Sequence, residues 1–440
     1  MNAIARPWRH ALAAALLGLS SPGAHAGGEP FAELIAEALR NNPEIRVARS
    51  ERQAALARIG PAGALDDPML ELGVLNVPAQ SRSLSQEDMT MKMIGFAQRF
   101  PSPGKRGLRV QVASREAEAA AYGYRETVNR VLRELKLASY DALLAAESGR
   151  LAASSRDTLE RLLRVVESRY AVGQGNQADV LKAQTQLTKM RDELLRLARE
   201  RATARSELGR ALGRPEPVDP PGTGLSAPGQ VALDPRRLEQ EAFRQRPQLL
   251  ALRSLIAKSE RAVELARKEA SPDFDVRFSY GQRNTAPTGM KREDMISLTV
   301  AFNLPLWGES KNEPRIAEAH ASRDQALAAV SAQQQEIAMR LHHQVAATEQ
   351  GLASLRLYER DILPQARLTV EAAASAYRVG RVDFMTLLDA QMSVFGFEIA
   401  RVAALSGVHK ALAEIDFLTG RLALEASGAE DAALDSTGAR

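Results

Sequence analysis

The order of apolar and polar positions along the chain changes character several times. From Asp67 to Asn76, Leu70, Leu72 and Val74 share one face of an extended segment. From Asp273 to Tyr280, Phe274, Val276, Phe278 and Tyr280 alternate with Asp273, Asp275, Arg277 and Ser279. Ile296, Leu298, Val300, Phe302 and Leu304 alternate with Ser297, Thr299, Ala301 and Asn303. Period two predicts β-strands, here near 67–77, 89–100, 272–281 and 294–304. An apolar face opposite a charged one over about ten residues is the pattern of a membrane barrel. An antiparallel sheet with one wet face has the same period. The long helices between the strands and the exported N-terminus described below favour the barrel.

Elsewhere the period is helical. No proline occurs from Gly104 to Arg214, and the only break is Val172-Gly-Gln-Gly-Asn176. The arm from Arg106 to Ala171 would span about 100 Å. The return arm carries Leu187, Met190, Leu194 and Leu197, and a second return arm carries Leu388, Met392, Phe395, Ile399 and Val402. These are narrow seams of the coiled-coil kind. Arms this long must lie beside other long helices. Pro364 should bend the second long arm.

The unit occurs twice. Ala38-Leu39-Arg40 and Pro43 match Ala242-Phe243-Arg244 and Pro247, and Pro68 matches Pro272, each 204 positions on. Phe100-Pro101 and Gly104 match Leu304-Pro305 and Gly308 at the same offset. Ser168, Tyr170, Val172 and Gly173 match Ser375, Tyr377, Val379 and Gly380 at an offset of 207, so a small insertion separates the blocks. The expected organisation is a signal peptide at 1–26, a first repeat at 27–214, a Pro/Gly linker at 215–237, a second repeat at 238–425 and a polar tail at 426–440.

Composition sharpens this outline. Arg6 and Arg9 precede the apolar run Ala11–Leu19, and Ala24-His25-Ala26 fits signal-peptidase cleavage, so export is expected. No later stretch reaches 18 apolar residues, which leaves no candidate membrane-spanning helix. There is no cysteine. Disulfides, thiolate catalysis and a lipid anchor on cysteine are therefore not expected. The formal charge of +4 is carried by interspersed residues of both signs, which is no nucleic-acid footprint. Aromatics are only 5%, as suits long helices in narrow contact rather than one large core.

No catalytic constellation stands out. Gly104-Lys105 lacks the phosphate-loop frame, and Pro101-Ser-Pro-Gly104 reads as a turn between strand and helix. His342 and His343 are adjacent on a helix and point about 100° apart, which suits no shared metal. Asp179 and Asp389 are by default solvated helix residues. Met89, Met91 and Met93 share one strand face, and transferring the register of Met295, Ser297 and Thr299 places Met91 and Met93 on the polar side, where Met69 also falls. Thioethers suit soft ions such as Cu(I); methionine also fills space. No cofactor is expected.

A duplicated helix–strand–strand–helix unit with such hairpins resembles the TolC family of outer-membrane efflux proteins. The specific marks are Phe100-Pro-Ser-Pro-Gly-Lys105, Tyr170-Ala-Val-Gly173 with Asp179-Val-Leu181 and Ala183-Gln184, Leu363-Pro364, and Tyr377-Arg-Val-Gly380 with Leu388-Asp389-Ala390-Gln391. The resemblance implies a mainly α fold with a small β membrane part. It implies a homotrimer whose four strands per chain make a 12-stranded barrel and whose hairpins make a tunnel. It also implies outer-membrane lipid around the barrel, a periplasmic adaptor and an inner-membrane RND-type pump.

Three departures stand out. Many relatives are lipid-anchored, and this chain has no cysteine to carry a lipid. The tips read Val172-Gly173-Gln174 and Val379-Gly380-Arg381 where Val-Gly-Leu is common. Relatives can close the pore with two acidic residues one turn apart; here Asp389 fits one, and Thr386 stands where the other would be. Asp179 and Arg381 of adjacent hairpins could pair at the closed end.

The expected function is a passive outer-membrane conduit of a Gram-negative bacterium, reaching into the periplasm. It would export small solutes, with a lean towards ions such as copper or silver because the Phe-Pro-Ser-Pro-Gly-Lys junction is similar to heavy-metal relatives. Drug efflux and type I protein secretion are alternatives on the same fold. A periplasmic coiled-coil adaptor or structural rod is the alternative from another class, and it would have no lipid-facing strands.

Overall fold

The computed structural model describes residues 29–220, 224–226, 228–229 and 233–426. The expected signal peptide, part of the linker and nearly all of the tail lie outside these residues. The first copy runs α1 (Glu29–Asn41), α2 (Pro43–Ala57), a short α3 (Ile59–Gly63), β1 (Met69–Leu75), β2 (Met91–Phe100), α4 (Lys105–Ala171) and α5 (Gln177–Leu212). The second runs α6 (Pro235–Gln245), α7 (Pro247–Lys268), β3 (Phe274–Arg283), β4 (Met295–Phe302), α8 (Glu313–Leu357), α9 (Leu363–Arg378) and α10 (Phe384–Thr419). Among the described residues, no helix is long and apolar enough to cross a membrane.

The arms match. α4 has 67 residues and α5 has 36; α8 and α9 together span 313–378, and α10 also has 36. The expected bend at Pro364 takes the form of a widened π-turn, Tyr358–Ile362, just before Leu363-Pro364. Proline lacks the N–H for the carbonyl four residues back and its ring crowds it, so the turn opens to relieve both. A second π-turn, Gly308–Asn312, precedes Pro314. The change of repeat offset falls there, because α4 starts at 105 and ends at 171 while its counterpart starts at 313 and ends at 378.

Two apolar cores hold the helices. One joins Leu132, Leu135, Leu208 and Leu212 to Ile45, Leu249, Ile337, Leu341, Ile415 and Leu418. The other zips the hairpins through Leu159, Val166, Leu187, Met190, Leu197, Phe384, Leu387 and Leu388, with Leu194, Met392 and Phe395 packed against it. The predicted seams are therefore the buried ones.

Each copy also docks the end of its return helix on the elbow between its two short helices. Asn42 caps α2 by accepting from the Glu44 and Ile45 amides, and its Nδ2 donates to Ala211 O at 2.9 Å. Gly213, with φ of 76°, sits so close that a Cβ would lie 2.6 Å from Asn41 O. At the matching elbow a Cβ on Gly420 would lie 3.1 Å from Arg246 Cα. Arg246 is buried there, 3.2 Å from Glu126 and 4.8 Å from the Phe417 ring centroid. Burial pushes the Glu126 carboxyl up, more than Arg246 pulls it down.

Candidate functional site

The four strands form one antiparallel sheet in the order β1-β2-β3-β4. Leu70, Phe96, Phe278 and Leu298 lie in one cross-strand row, and Leu72, Ile94, Tyr280 and Ile296 in the next. Val276 pairs with Val300, Phe274 with Phe302, and Val74 with Lys92. All the residues expected to face lipid thus share one face, and Ile94 and Phe96 join them. The face is bare: Leu72 is 73% exposed and Leu298 is 70% exposed. The opposite face carries Met69, Ala97, Arg277 and Thr299 in one row and Glu71, Gly95, Ser279 and Ser297 in another. Arg277 and Glu71 form an ion pair across that face at 3.0 Å.

β1, β2 and β4 are shorter than expected, and β3 keeps its length but lies two residues further on. β1 stops at Leu75 because Asn76 takes a left-handed φ of 55° and ties the loop, donating to Met89 O and accepting from Thr90 Oγ1. β4 stops at Phe302, and Leu304 lies beyond it, because Asn303 exchanges bonds with Asp273 and Pro305 has no N–H to continue the ladder. A shift of 204 from the Met69–Ala97 pair would pair Asp273 with Ala301, but Asp275 takes that place. A slip of two residues preserves both faces, so the fold tolerates it.

The junction between sheet and helices is locked within the chain. Lys105, 3% exposed, donates from Nζ to Asp273 Oδ1 and to Ser271 O, both at 2.7 Å. Ser102 N–H donates to the same carboxylate at 2.8 Å, and Arg99 lies 3.3 Å from it. Burial raises the Asp273 carboxyl, but the hydrogen bonds from Lys105 and Ser102 outweigh it and hold the group below its ordinary range. The Phe-Pro-Ser-Pro-Gly-Lys run is therefore more than a turn: its lysine rivets β2–α4 to α7–β3. No short-range sequence signal pointed to this, because the partner lies 168 positions away. Positions 309 and 69, the counterparts of Lys105 and Asp273, hold Glu309 and Met69. At that second junction Trp307 is 71% exposed.

The far ends of the hairpins close alike. Gly173 N–H donates to Tyr170 O and Gln174 N–H to Arg169 O; Gly380 N–H donates to Tyr377 O and Arg381 N–H to Ala376 O. Both are Schellman closures, which need the left-handed φ of 72° at Gly173 and 73° at Gly380. Val172 and Val379 are left exposed at the tips. Arg169 ties the tips together, donating to Tyr377 O and Arg378 O at 2.9 and 2.7 Å with its guanidinium over the Tyr377 ring.

Asp179 lies in the first turn of α5, favourable to the helix dipole. Asp389 is exposed on α10. The Thr386 N–H and hydroxyl both donate to Asp383, the N-cap of α10. The hydrogen bond from the Thr386 hydroxyl is the main reason the Asp383 carboxyl is held below its ordinary range.

The histidines do not converge. His342 Nε2 lies 2.8 Å from Glu239, whereas His343 Nδ1 lies 3.3 Å from Gln344. No cluster of three or more His, Cys, Asp or Glu suited to a metal occurs among the described residues. Met91 and Met93 share the charged face of the sheet, as expected, with Met295 on the same face. Met69 shares that face but pairs with Ala97, four residues along β1 from Gly73, the partner of Met93.

A sheet with one bare apolar face, joined to helical hairpins of this length, is the architecture of an outer-membrane channel. The chain belongs to the family described as "Outer membrane efflux protein", which matches residues 34–214 and 238–421. It is an outer-membrane efflux channel. The cobalt-zinc-cadmium resistance protein CzcC of Cupriavidus metallidurans is 24% identical over 72% of this chain and 74% of its own. The pyoverdine export outer membrane protein OpmQ of Pseudomonas aeruginosa is 24% identical over 70% of this chain and 66% of its own. The crystal structure of the outer membrane protein VceC from Vibrio cholerae shares the fold, with a TM-score of 0.74 at 18% identity over 88% of this chain and 95% of that one.

Proposed function

We propose that three copies close into a passive conduit, a 12-stranded barrel continued by a helical tunnel, which an adaptor joins to an inner-membrane RND-type pump. The observation that carries this reading is the open sheet. β1 and β4 are its edges, and an edge left open in lipid strands backbone groups at several kcal/mol each. Four strands are too few for a barrel; twelve suffice. The exposed apolar face then meets lipid and the Glu71–Arg277 face lines the lumen. The adaptor contacts are the paired tips Val172-Gly173-Gln174 and Val379-Gly380-Arg381.

The periplasmic end closes with Asp179 of one hairpin facing Arg381 of the next, and exposed Asp389 residues line the narrowest point and favour cations. An exposed pair is worth about 0–1 kcal/mol, so docking of the adaptor can open it. Planar-bilayer recording tests the reading. The detergent-extracted protein should conduct in discrete steps. Asp179→Ala with Arg381→Ala should raise conductance, and Asp389→Ala should reduce cation preference. A protein that stays in solution without detergent and never conducts contradicts the conduit.

A further inference from the structure

The sheet places three methionines around one glycine. Gly73, Met93, Gly281 and Met295 follow one another across β1, β2, β3 and β4 in a single row on the Glu71–Arg277 face. Met91 leans over from the next position, and its Sδ occupies the space a Cβ on Gly281 would need. Glycine inside a strand marks a place where something approaches closely, and here the approaching atom is the Met91 sulfur. Directly paired residues have Cβ atoms about 4.5–5.5 Å apart. Met93 and Met295 therefore flank Gly281 from either side with Met91 between them, and unbranched thioether chains reach across such gaps.

Packing does not account for the cluster. Leu75 pairs with Met91 on this face, but the rows beyond carry Arg277, Thr299, Ser279, Ser297 and Glu71, and neither apolar core reaches it. The row lies near the hairpin loops, at the end of the sheet away from the helices. Of the 11 methionines in the chain, Met89, Met91, Met93, Met290 and Met295 fall at that end. Arg283, paired with Met91, is drawn off into the loops, where Nε donates to Glu293 O and Nη1 to Asp88 O. Met69 takes no part, because four residues along β1 place it about 13 Å away.

We propose that Met91, Met93 and Met295 form a site for a soft monovalent ion, Cu(I) or Ag(I), at the outer mouth of the lumen. The proposal rests on the conduit reading above. Neutral thioethers select soft ions over hard ones. Without a carboxylate in the set, the ion is held by sulfur alone, as suits release to the outside.

The test is a silver nitrate titration of the assembled protein in detergent, with methionine methyl groups labelled with ¹³C and assigned by single Met→Leu variants. Leucine keeps the volume. The methyl resonances of Met91, Met93 and Met295 should shift together, saturating at one ion per chain. Met91→Leu and Met295→Leu should each weaken binding at least about tenfold, and Met69→Leu should leave it unchanged. Resonances that ignore silver, or variants that bind it as well as the parent does, overturn the site. Conductance of the same samples is read separately. A parent that conducts without a silver-dependent shift overturns the site alone, and one that shifts without conducting overturns the conduit alone.

Discussion

At the residue scale, a few side chains fix the geometry of the channel. Lys105 satisfies Asp273 and the Ser271 carbonyl in a nearly dry junction. Lys105→Met keeps the stem but leaves a carboxylate and a carbonyl without their donor. That should destabilise the assembly by about 2–3 kcal/mol, read as a lower dissociation temperature in detergent; an unchanged temperature would show the rivet to be idle. Asp383 gives a pH dependence with a definite sign. Its carboxyl titrates below the ordinary value in the folded chain, so the cap is fully present above about pH 4, the unfolded aspartate value. It is lost as pH falls through the lower folded value. The protection of the Thr386 amide against hydrogen exchange, taken relative to the intrinsic rate at each pH, should fall on acidification in the parent. Asp383→Asn keeps a capping oxygen and should remove that dependence; equal acid response in both would rule the cap out as its source.

At the scale of elements, the repeat and the seams were plain in the sequence because helical and strand periods are local. Leu187, Met190 and Leu197 are buried as their spacing predicts. The apolar face of β1, β3 and β4 was equally plain. β2 was harder to read, since Lys92 and Gln98 flank Ile94 and Phe96 on the apolar face, and a lysine near a strand end can extend its amine towards the headgroups. The rivet and the tip clamp were invisible for another reason: each joins residues more than 150 positions apart. The π-turns follow from Pro314 and Pro364, but only a bend at Pro364 was inferred, and not its form. The face assignment has a direct check. Val276→Arg or Leu298→Arg should impair insertion by about 2–4 kcal/mol near the bilayer midplane, whereas Thr299→Arg, on the charged face, should insert nearly normally. Equal defects on both faces would contradict the register.

At the scale of the whole molecule, the two ends of one chain's hairpin pair are fastened and their counterparts are not. Lys105 and Arg169 donate to helix-end carbonyls within the chain. The repeat places Glu309 and Ala376 at the matching positions, 204 and 207 residues on, which would face the next copy. In the proposed trimer the seam between copies would therefore be the softer one. Arg169→Ala should loosen the intrachain seam at the tip and raise single-channel conductance; unchanged conductance would place the constriction elsewhere.

Closure of the sheet edges onto neighbouring copies is the claim on which the rest depends, and the absence of cysteine makes it directly testable. One cysteine on β4, replacing Val300, is combined in turn with one on β1, replacing Leu70, Leu72 or Val74, and the protein is oxidised in the outer membrane. β1 and β4 lie on opposite edges of the sheet in one chain, so a bond between them joins neighbours. At least one pair should give a cross-linked ladder that stops at three chains. A ladder that stops at two, runs on past three, or never forms with any pair would contradict the trimeric barrel.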